Sequence, residues 1–206
     1  MVRDKPLALI AIVVFGLALR LLYLNQHIAS PYFEPLILDP NYYHEWALRL
    51  LQGKWIQETA FFGLPLYPMF LSLIYKLSGT QILAVKFFQQ CIGILNILLI
   101  YFLTQRLFAQ KRISLMAALM SAFYGPYLFH ETILIPEALA VALYTCVLLG
   151  VICFWDRPSR KKAIFLGLLF ALAGCTKAGL FLFLPVFILF YLFRHGALRP
   201  FHDLRH

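Results

Sequence analysis

The stretch LDPNYYHEW, residues 38–46, is the most polar and aromatic-rich passage of an otherwise apolar sequence. Asp39 followed by Pro40 is typical of a helix N-cap with a proline in the first helical turn. The helix continues to about Gln52, Gly53 supplies its stop, and its aromatic side chains share one face. A short amphipathic helix of this kind is suited to lie at a membrane surface. Capping this helix would by itself account for Asp39.

The composition around this stretch is that of a membrane protein. Of the 206 residues, 62% are hydrophobic and 13% are charged, whereas a soluble domain carries about a quarter charged residues. The net charge of +9 does not indicate a nucleic-acid partner, because the basic side chains form small clusters between apolar runs. That distribution is typical of cytoplasmic loops in a polytopic membrane protein.

The apolar runs predict an all-α polytopic membrane protein with about six transmembrane helices. The first run, residues 6–24, is long enough for an apolar core of ~30 Å, and Arg20 near its far end can snorkel to the interface. The hairpin formed by the last apolar run breaks around Lys177, which lies between two glycines. We treat residues 1–206 as a single transmembrane domain. The remaining predicted spans are residues 82–103, 113–129 (interrupted by Gly125-Pro126), 136–155 and the two hairpin arms within 163–193.

A long loop, residues 25–81, separates the first two predicted spans and contains a second apolar helix. That helix covers residues 65–77 and ends at Gly79. It is too short to cross the membrane, so we expect it to lie at the interface beside the helix that starts at Asp39.

The distribution of Lys and Arg orients the chain. Twelve of the 18 basic side chains fall on the side of the two termini, opposite the long loop. The positive-inside rule therefore places both termini in the cytoplasm and the long loop outside the cell (plasma or inner) membrane. The six basic side chains on the side of the loop are Arg20, Arg49, Lys54, Lys76, Lys86 and Lys177.

Ionisable side chains collect at the outer ends of the predicted spans. A charge in the apolar core costs about 2.5–3.5 kcal/mol, so such residues usually line polar cavities or form pairs. Glu137 follows Pro136 in a first helical turn, where a carboxylate is favourable without any further role. Lys177 is either part of a site or a snorkelling lysine. The full set is Asp39, His44, Glu45, Lys86, His130, Glu131, Glu137 and Lys177.

Several of these groups have simple structural explanations. His44 and Glu45 suit the polar face of an interfacial helix, and His130-Glu131 suits a solvated turn rather than a metal site. The sequence contains no phosphate-binding glycine loop and no metal-ligand spacing, so it indicates no certain cofactor and leaves a divalent cation open. Hydrogen bonds between helices are expected for three amides inside the second span, Gln89, Gln90 and Asn96.

Five motifs occur in an ordered series over nearly the whole chain. They are LDPNYYHEWA at 38–47, FFGLPLYP at 61–68, YGP at 124–126, IPE at 135–137 and GCTK at 174–177. In this order and spacing they resemble the N-terminal membrane region of the bacterial relatives of dolichyl-phosphate-mannose protein mannosyltransferases. These are family-39-type members of the multi-spanning C-type glycosyltransferase superfamily.

The resemblance implies an integral-membrane enzyme that moves a sugar from a polyprenyl-phosphate carrier to a protein or glycolipid acceptor on the outer face. In that family the acid of the first outer loop is the catalytic base, and Asp39 occupies its position. Thr176-Lys177 matches a pair that we assign to the carrier phosphate, and Glu137 matches an acid at the start of the fourth span. We include Lys86 and His44 among the candidate substrate-binding residues.

The chemistry of such a transfer agrees with these residue types. Transfer to a hydroxyl or amine needs a base beside the attacking atom and a cation beside the leaving phosphate. Asp39 and Lys177 are the simplest candidates for these two roles. We expect Asp39 to be partly withdrawn from water, which would make it a stronger base.

The sequence departs from the family pattern in two places. The second acid of the usual Asp-Glu pair is absent, because Pro40 follows Asp39. Relatives continue with several more spans, so we expect the chain to correspond to the N-terminal part of a longer enzyme fold. The alternative is a non-catalytic or truncated module that binds prenyl-phosphate lipid or serves as a subunit of a hetero- or homo-oligomer. A small transporter is disfavoured, because no internal repeat is visible.

Overall fold

The computed structural model describes residues 7–31, 33, 36–55 and 63–194, and the regular elements within these ranges are all helical. The Phe61-Phe62 pair of the second motif and the basic residues Arg3, Lys5, Arg199 and Arg205 lie outside the described residues. A 3-10 helix, Ala178–Phe183, connects the last two α-helices. In chain order the α-helices are α1 (Leu7–Ile28), α2 (Asp39–Leu51), α3 (Leu66–Ser78), α4 (Ile82–Phe108), α5 (Lys111–Ala122), α6 (Gly125–His130), α7 (Glu137–Asp156), α8 (Arg160–Thr176) and α9 (Leu184–Arg194).

Helix α4 lies at the centre of the molecule and contacts α1, α3, α5, α6 and α7. Its buried side chains include Gln89, Gly93 and Asn96, which recur at intervals of three or four residues along one side of the helix. Small and polar residues allow close approach and hydrogen bonds between helices in a membrane. The prediction is confirmed for two of the three amides, since Gln89 donates to the carbonyl of Ile133 at 2.7 Å and Asn96 to that of Ala138 at 3.5 Å. It is wrong for Gln90, whose buried side-chain amide has no hydrogen-bond partner among the described residues.

Within the described part of the chain, α1, α4 and α7 are long and apolar enough to cross a membrane. This confirms the prediction of an all-helical membrane protein. The third apolar run is interrupted as expected, since α5 ends at Ala122 and α6 begins at Gly125. The hairpin also breaks at Lys177, between α8 and the 3-10 helix. Because α5, α8 and α9 are shorter, with 12, 17 and 11 residues, the number of six spans stays a prediction.

The two helices of the long loop pack against each other. Helix α3 ends as the sequence predicts, with Gly79 in the left-handed conformation at φ 72°. Tyr43 of α2 and Tyr67 of α3 stack edge to face with ring centroids 5.1 Å apart, in a buried cluster that includes Leu71 of α3 and Val85 of α4. The aromatic face of α2 therefore packs on protein rather than on lipid. The location of both helices at the membrane surface stays a prediction.

The structure corrects the predicted N-cap of α2. Leu38 occupies the cap position, with φ 57° and ψ −128°, and its carbonyl accepts the first helical hydrogen bond from the N–H of Tyr42 at 3.1 Å. Asp39 is therefore the first helical residue, and the cap residue Leu38 makes no side-chain capping hydrogen bond. A cap side chain would bond to the N–H groups of the first turn, and Pro40 lacks one.

The structure also corrects the expectation that Arg20 snorkels to the interface. Helix α1 does not end near residue 24 but continues to Ile28, which leaves Arg20 two turns from the end of the helix. The side chain of Arg20 is completely buried. It points into the protein, where α1 packs on α4 and α5.

Candidate functional site

Asp39 lies at the start of α2 with its side chain exposed, so the structure does not withdraw it from water as the sequence suggested. One turn further along α2, Tyr43 is buried. Burial, together with the negative charges of Asp39 and Glu137, raises the pKa of the Tyr43 phenol to about 12. Asp39 of α2 and Glu137 of α7 therefore both lie within electrostatic range of the same phenol.

A cavity of about 510 Å³ lies beside the start of α2. Pro40, the neighbour of Asp39, forms part of its wall, and Lys86 of α4 and His27 of α1 contribute basic side chains. An apolar cavity with a few polar groups is the usual form of a small-molecule site. Such a cavity suits a hydrocarbon chain that ends in an anion. Its apolar side chains are those of Phe33, Leu36, Ile37, Phe129, Ile133 and Leu134.

Lys86 is buried at the side of this cavity and makes contacts with the end of α1 and the turn that follows. Its Nζ lies 3.1 Å from Nε2 of His27 and donates to the carbonyl of Phe33 at 3.0 Å. The ammonium also lies 4.0 Å from the centroid of the Phe33 ring, a cation–π contact. No carboxylate pairs with Lys86 among the residues that the structure describes. A buried cation without an anionic partner is well placed to attract an anionic ligand.

The structure brings two other predicted site residues, Glu137 and Lys177, into direct contact. Nζ of Lys177 donates to Oε1 of Glu137 at 2.7 Å. Glu137 begins α7 and Lys177 follows α8, and the hydroxyl of Tyr144 on α7 donates to the carbonyl of Lys177 at 2.7 Å. Lys177 is 53% exposed, so its ammonium remains accessible. The pair closes one end of the contact between α7 and α8, and neither residue lines the cavity beside Lys86.

His44 is engaged in the contact between α2 and α3. Its Nδ1 lies 2.7 Å from the hydroxyl of Tyr75, and the ring is half-buried. Burial lowers the pKa of His44. Glu45, by contrast, is exposed, in agreement with the polar helix face predicted for it. His44 is therefore placed to hold α2 against α3, and it does not line the cavity beside Lys86.

The sequence missed a buried ion pair between Arg20 and Glu131. The guanidinium of Arg20 donates to Oε1 of Glu131 at 2.8 Å and to the carbonyl of Ala122 at 3.2 Å. The prediction that Glu131 lies in a solvated turn is wrong, since its side chain is 2% exposed. Its carboxylate lies directly against Gly93 of α4, where any Cβ atom would overlap it. The signal in the sequence that could predict this ion pair is the position of Arg20, which lies too far inside an apolar helix to reach water.

Gln89 secures the non-helical segment that follows α6. Residues 131–136 connect α6 to α7 without a regular helix. The side-chain amide of Gln89 donates to the carbonyls of Glu131 and Ile133 at 3.0 and 2.7 Å, and its oxygen accepts from the hydroxyl of Tyr67. Irregular backbone inside a membrane protein is tolerated where protein groups satisfy its hydrogen bonds. Gln89 thereby fixes a segment whose residues 132–134 line the cavity beside Lys86.

The candidate residues suit acid–base chemistry better than metal binding. The described residues contain no group of three or more His, Cys, Asp and Glu side chains arranged to hold a metal ion. The arrangement does offer an accessible carboxylate at Asp39, a buried cation in an apolar cavity at Lys86, and a second cation at Lys177. These are the elements that a transfer from a lipid-linked phosphate requires.

Comparisons with known proteins give one match. A family model described as dolichyl-phosphate-mannose-protein mannosyltransferase matches residues 63–203. None of the curated proteins and none of the solved structures matches the chain. The matched range includes Lys86, Glu137 and Lys177 and begins after Asp39 and His44.

Proposed function

Since this chain belongs to the dolichyl-phosphate-mannose-protein mannosyltransferase family, we propose that it acts as a membrane glycosyltransferase. Its donor is a sugar linked to a polyprenyl phosphate, and its acceptor is a protein or glycolipid at the outer face of the cell membrane. The cavity beside α2 carries this proposal, because apolar walls, a buried cation at Lys86 and the neighbouring Asp39 occur in one place.

The proposed reaction is displacement at the anomeric carbon of the sugar. An acceptor hydroxyl or amine forms the new bond to this carbon while Asp39 accepts its proton. The bond between the sugar and the carrier oxygen breaks, and its electron pair leaves with the phosphate. Cations beside the phosphate stabilise the charge that develops on it.

We assign four further candidate residues to the site of the carrier. Lys177 is the accessible cation for the phosphate, and Glu137 orients it through their 2.7 Å contact. Lys86 contributes positive charge at the wall of the cavity beside α2. The apolar side chains of this cavity suit the first isoprene units of the carrier. His44 supports the site indirectly, because its contact with Tyr75 holds α2 in place.

Binding of the carrier tests the role of Lys177. We expect the chain in lipid nanodiscs to bind undecaprenyl phosphate more tightly than undecaprenol, which has the same chain without the phosphate. Lys177→Ala should reduce this preference and Lys177→Arg should retain part of it, because the charge is kept. Lys76→Ala is the control, since Lys76 is an exposed cation of α3 outside the cavity. Equal affinity for both lipids in the wild type would contradict the proposed function.

The second candidate function is a module that binds the lipid carrier without turnover. Two observations favour it. The matched range begins at residue 63, after Asp39, and Pro40 stands in place of the second acid of the usual pair. A panel of radiolabelled polyprenyl-phosphate sugars, incubated with the chain and membrane acceptors, separates the two functions. Transfer of label supports the enzyme, whereas tight binding without any transfer supports the binding module.

A further inference from the structure

A second, smaller cavity of about 180 Å³ lies between α4, α6 and α7. Asn96 of α4, Glu131 at the end of α6 and Glu137 at the start of α7 line it, and Val141 forms part of its apolar wall. The segment that follows α6 contributes to both cavities, with Glu131 lining this one and residues 132–134 lining the cavity beside Lys86.

Among the residues that the structure describes, three buried atoms in the lining of this cavity have no hydrogen-bond partner. They are Oδ1 of Asn96, Oε2 of Glu131 and Oε2 of Glu137. All three are acceptors, and the side chains of Asn96 and Glu131 are each 2% exposed. Buried polar atoms are nearly always satisfied in a native protein, so these acceptors require hydrogen-bond donors, which either water or the hydroxyl groups of a ligand supply.

The charges of the two carboxylates are already compensated. Glu131 is paired with Arg20 and Glu137 with Lys177, in both cases through the other carboxylate oxygen. A cationic ligand would therefore add charge to an electrically balanced set of groups. Neutral hydroxyl groups satisfy the same three acceptors without disturbing this balance.

We propose that this cavity binds the hydroxyl groups of the sugar carried by the lipid donor. The inference rests on the proposed function and adds the site of the sugar to it. The volume equals that of about six water molecules at ~30 Å³ each, which is room for one sugar ring. Glu137 connects the cavity to the rest of the site through its ion pair with Lys177. Tyr43 of α2 interacts electrostatically both with Glu137, which lines the cavity, and with Asp39, the proposed base.

The test compares four ligands that share the same lipid phosphate, one without a sugar and three with different sugars. The affinity of the full chain in nanodiscs is measured for undecaprenyl phosphate and for undecaprenyl-phosphate-linked mannose, glucose and galactose. We expect at least one sugar to increase the affinity of the wild type by roughly tenfold, which corresponds to one or two net hydrogen bonds. Asn96→Leu removes an unpartnered acceptor at nearly constant volume and should reduce that gain.

A second variant and a matched control make the test independent of the folding of Asn96→Leu. Val141→Phe fills the cavity and should also abolish the gain from the sugar. Leu148→Phe introduces the same ring on the exposed side of α7 and should leave the gain unchanged. Both cavity variants should keep the wild-type affinity for undecaprenyl phosphate itself, which shows that they are folded.

The outcomes are distinguishable. The inference is overturned if the sugar still increases the affinity in both cavity variants. It is also overturned if the wild type prefers undecaprenyl phosphate to undecaprenol but binds all four phosphate lipids with equal affinity. A gain that EDTA abolishes also overturns it, because the cavity would then hold a cation. A wild type that binds none of the phosphate lipids overturns the proposed function together with this inference.

Discussion

Arg20 of α1 and Glu131 at the end of α6 are 111 residues apart in sequence and form an ion pair of 2.8 Å with both side chains buried. Neither charge reaches water, so each is stable in the interior only through the other and through the carbonyls of Ala122 and Gly16. Removing one partner of such a pair leaves an uncompensated buried charge. The ion pair therefore fixes how α1 packs on the helices that follow.

We expect Arg20→Met to lower the free energy of unfolding by about 3–5 kcal/mol, because the carboxylate of Glu131 loses its only charged partner among the described residues. Arg106→Met is the matched control. Arg106 and Asp156 are 3.5 Å apart and more than half exposed, so their pair contributes about 0–1 kcal/mol. Unfolding of both variants in detergent with increasing denaturant measures the difference. Equal stability of the two variants would contradict the assignment of Arg20.

Gly93→Ala should be destabilising by about 1–3 kcal/mol, since the new methyl group would overlap the carboxylate that Arg20 holds against α4. Gly167→Ala on α8 is the control, because nothing lies within 4 Å of a Cβ atom there. In an exposed helix interior, the change to alanine should raise stability by up to about 1 kcal/mol. The two substitutions are chemically identical, and melting temperatures in detergent should move in opposite directions.

Asp39→Asn should reduce sugar transfer by roughly 10²–10⁴-fold while the fold is retained, because an amide cannot accept the proton of the acceptor. The side chain of Asp39 makes no capping hydrogen bond, so the substitution removes no bond that stabilises α2. Glu45→Gln, on the exposed face of the same helix, should have little effect. Full transfer activity in Asp39→Asn would remove Asp39 from the catalytic role.

The orientation is tested by the accessibility of single cysteines. With the natural thiols replaced, a cysteine at position 45 should react with a membrane-impermeant maleimide on intact cells. A cysteine at position 161 should react only after permeabilisation, since the positive-inside rule places it in the cytoplasm. Both positions are exposed. The reverse pattern would invert the proposed topology. The thiols to be replaced are those of Cys91, Cys146, Cys153 and Cys175.

Local patterns were sufficient to predict most helix positions. Helix α3 and its end at Gly79 follow from a short apolar run and a glycine, and the break at Lys177 follows from the glycines around it. These features depend on residues within a few positions of one another. The contact between Glu137 and Lys177 was not predicted, although both residues were expected in the site, because it depends on how α7 packs on α8.

The sequence-based predictions are wrong where a side chain has a partner distant in sequence, or where the backbone conformation is unusual for the residue type. The sequence pattern predicts Arg20 at the interface because it ends α1 near residue 24, four residues before the end of the helix in the structure. The burial of Glu131 depends on Gly93 of α4 and Arg20 of α1, which both contact its carboxylate in the folded chain. No local sequence pattern predicts that these three residues meet. The sequence predicts the cap of α2 at Asp39, one residue after its position in the structure, because Leu38 adopts a positive φ that is unusual for leucine.

The separation of Arg20 from Glu131 along the chain also bears on the order in which the protein is made. At about 5–20 residues per second, a ribosome needs roughly 6–22 seconds to synthesise the 111 residues that separate the arginine from its partner. During this interval α1 can enter the bilayer with an unpaired guanidinium, at a cost of about 2.5–3.5 kcal/mol that its long apolar sequence offsets. Docking of α1 is therefore complete only after α6 has been inserted. Until then the nascent chain depends on lipid headgroups, water or the insertion machinery to solvate that charge.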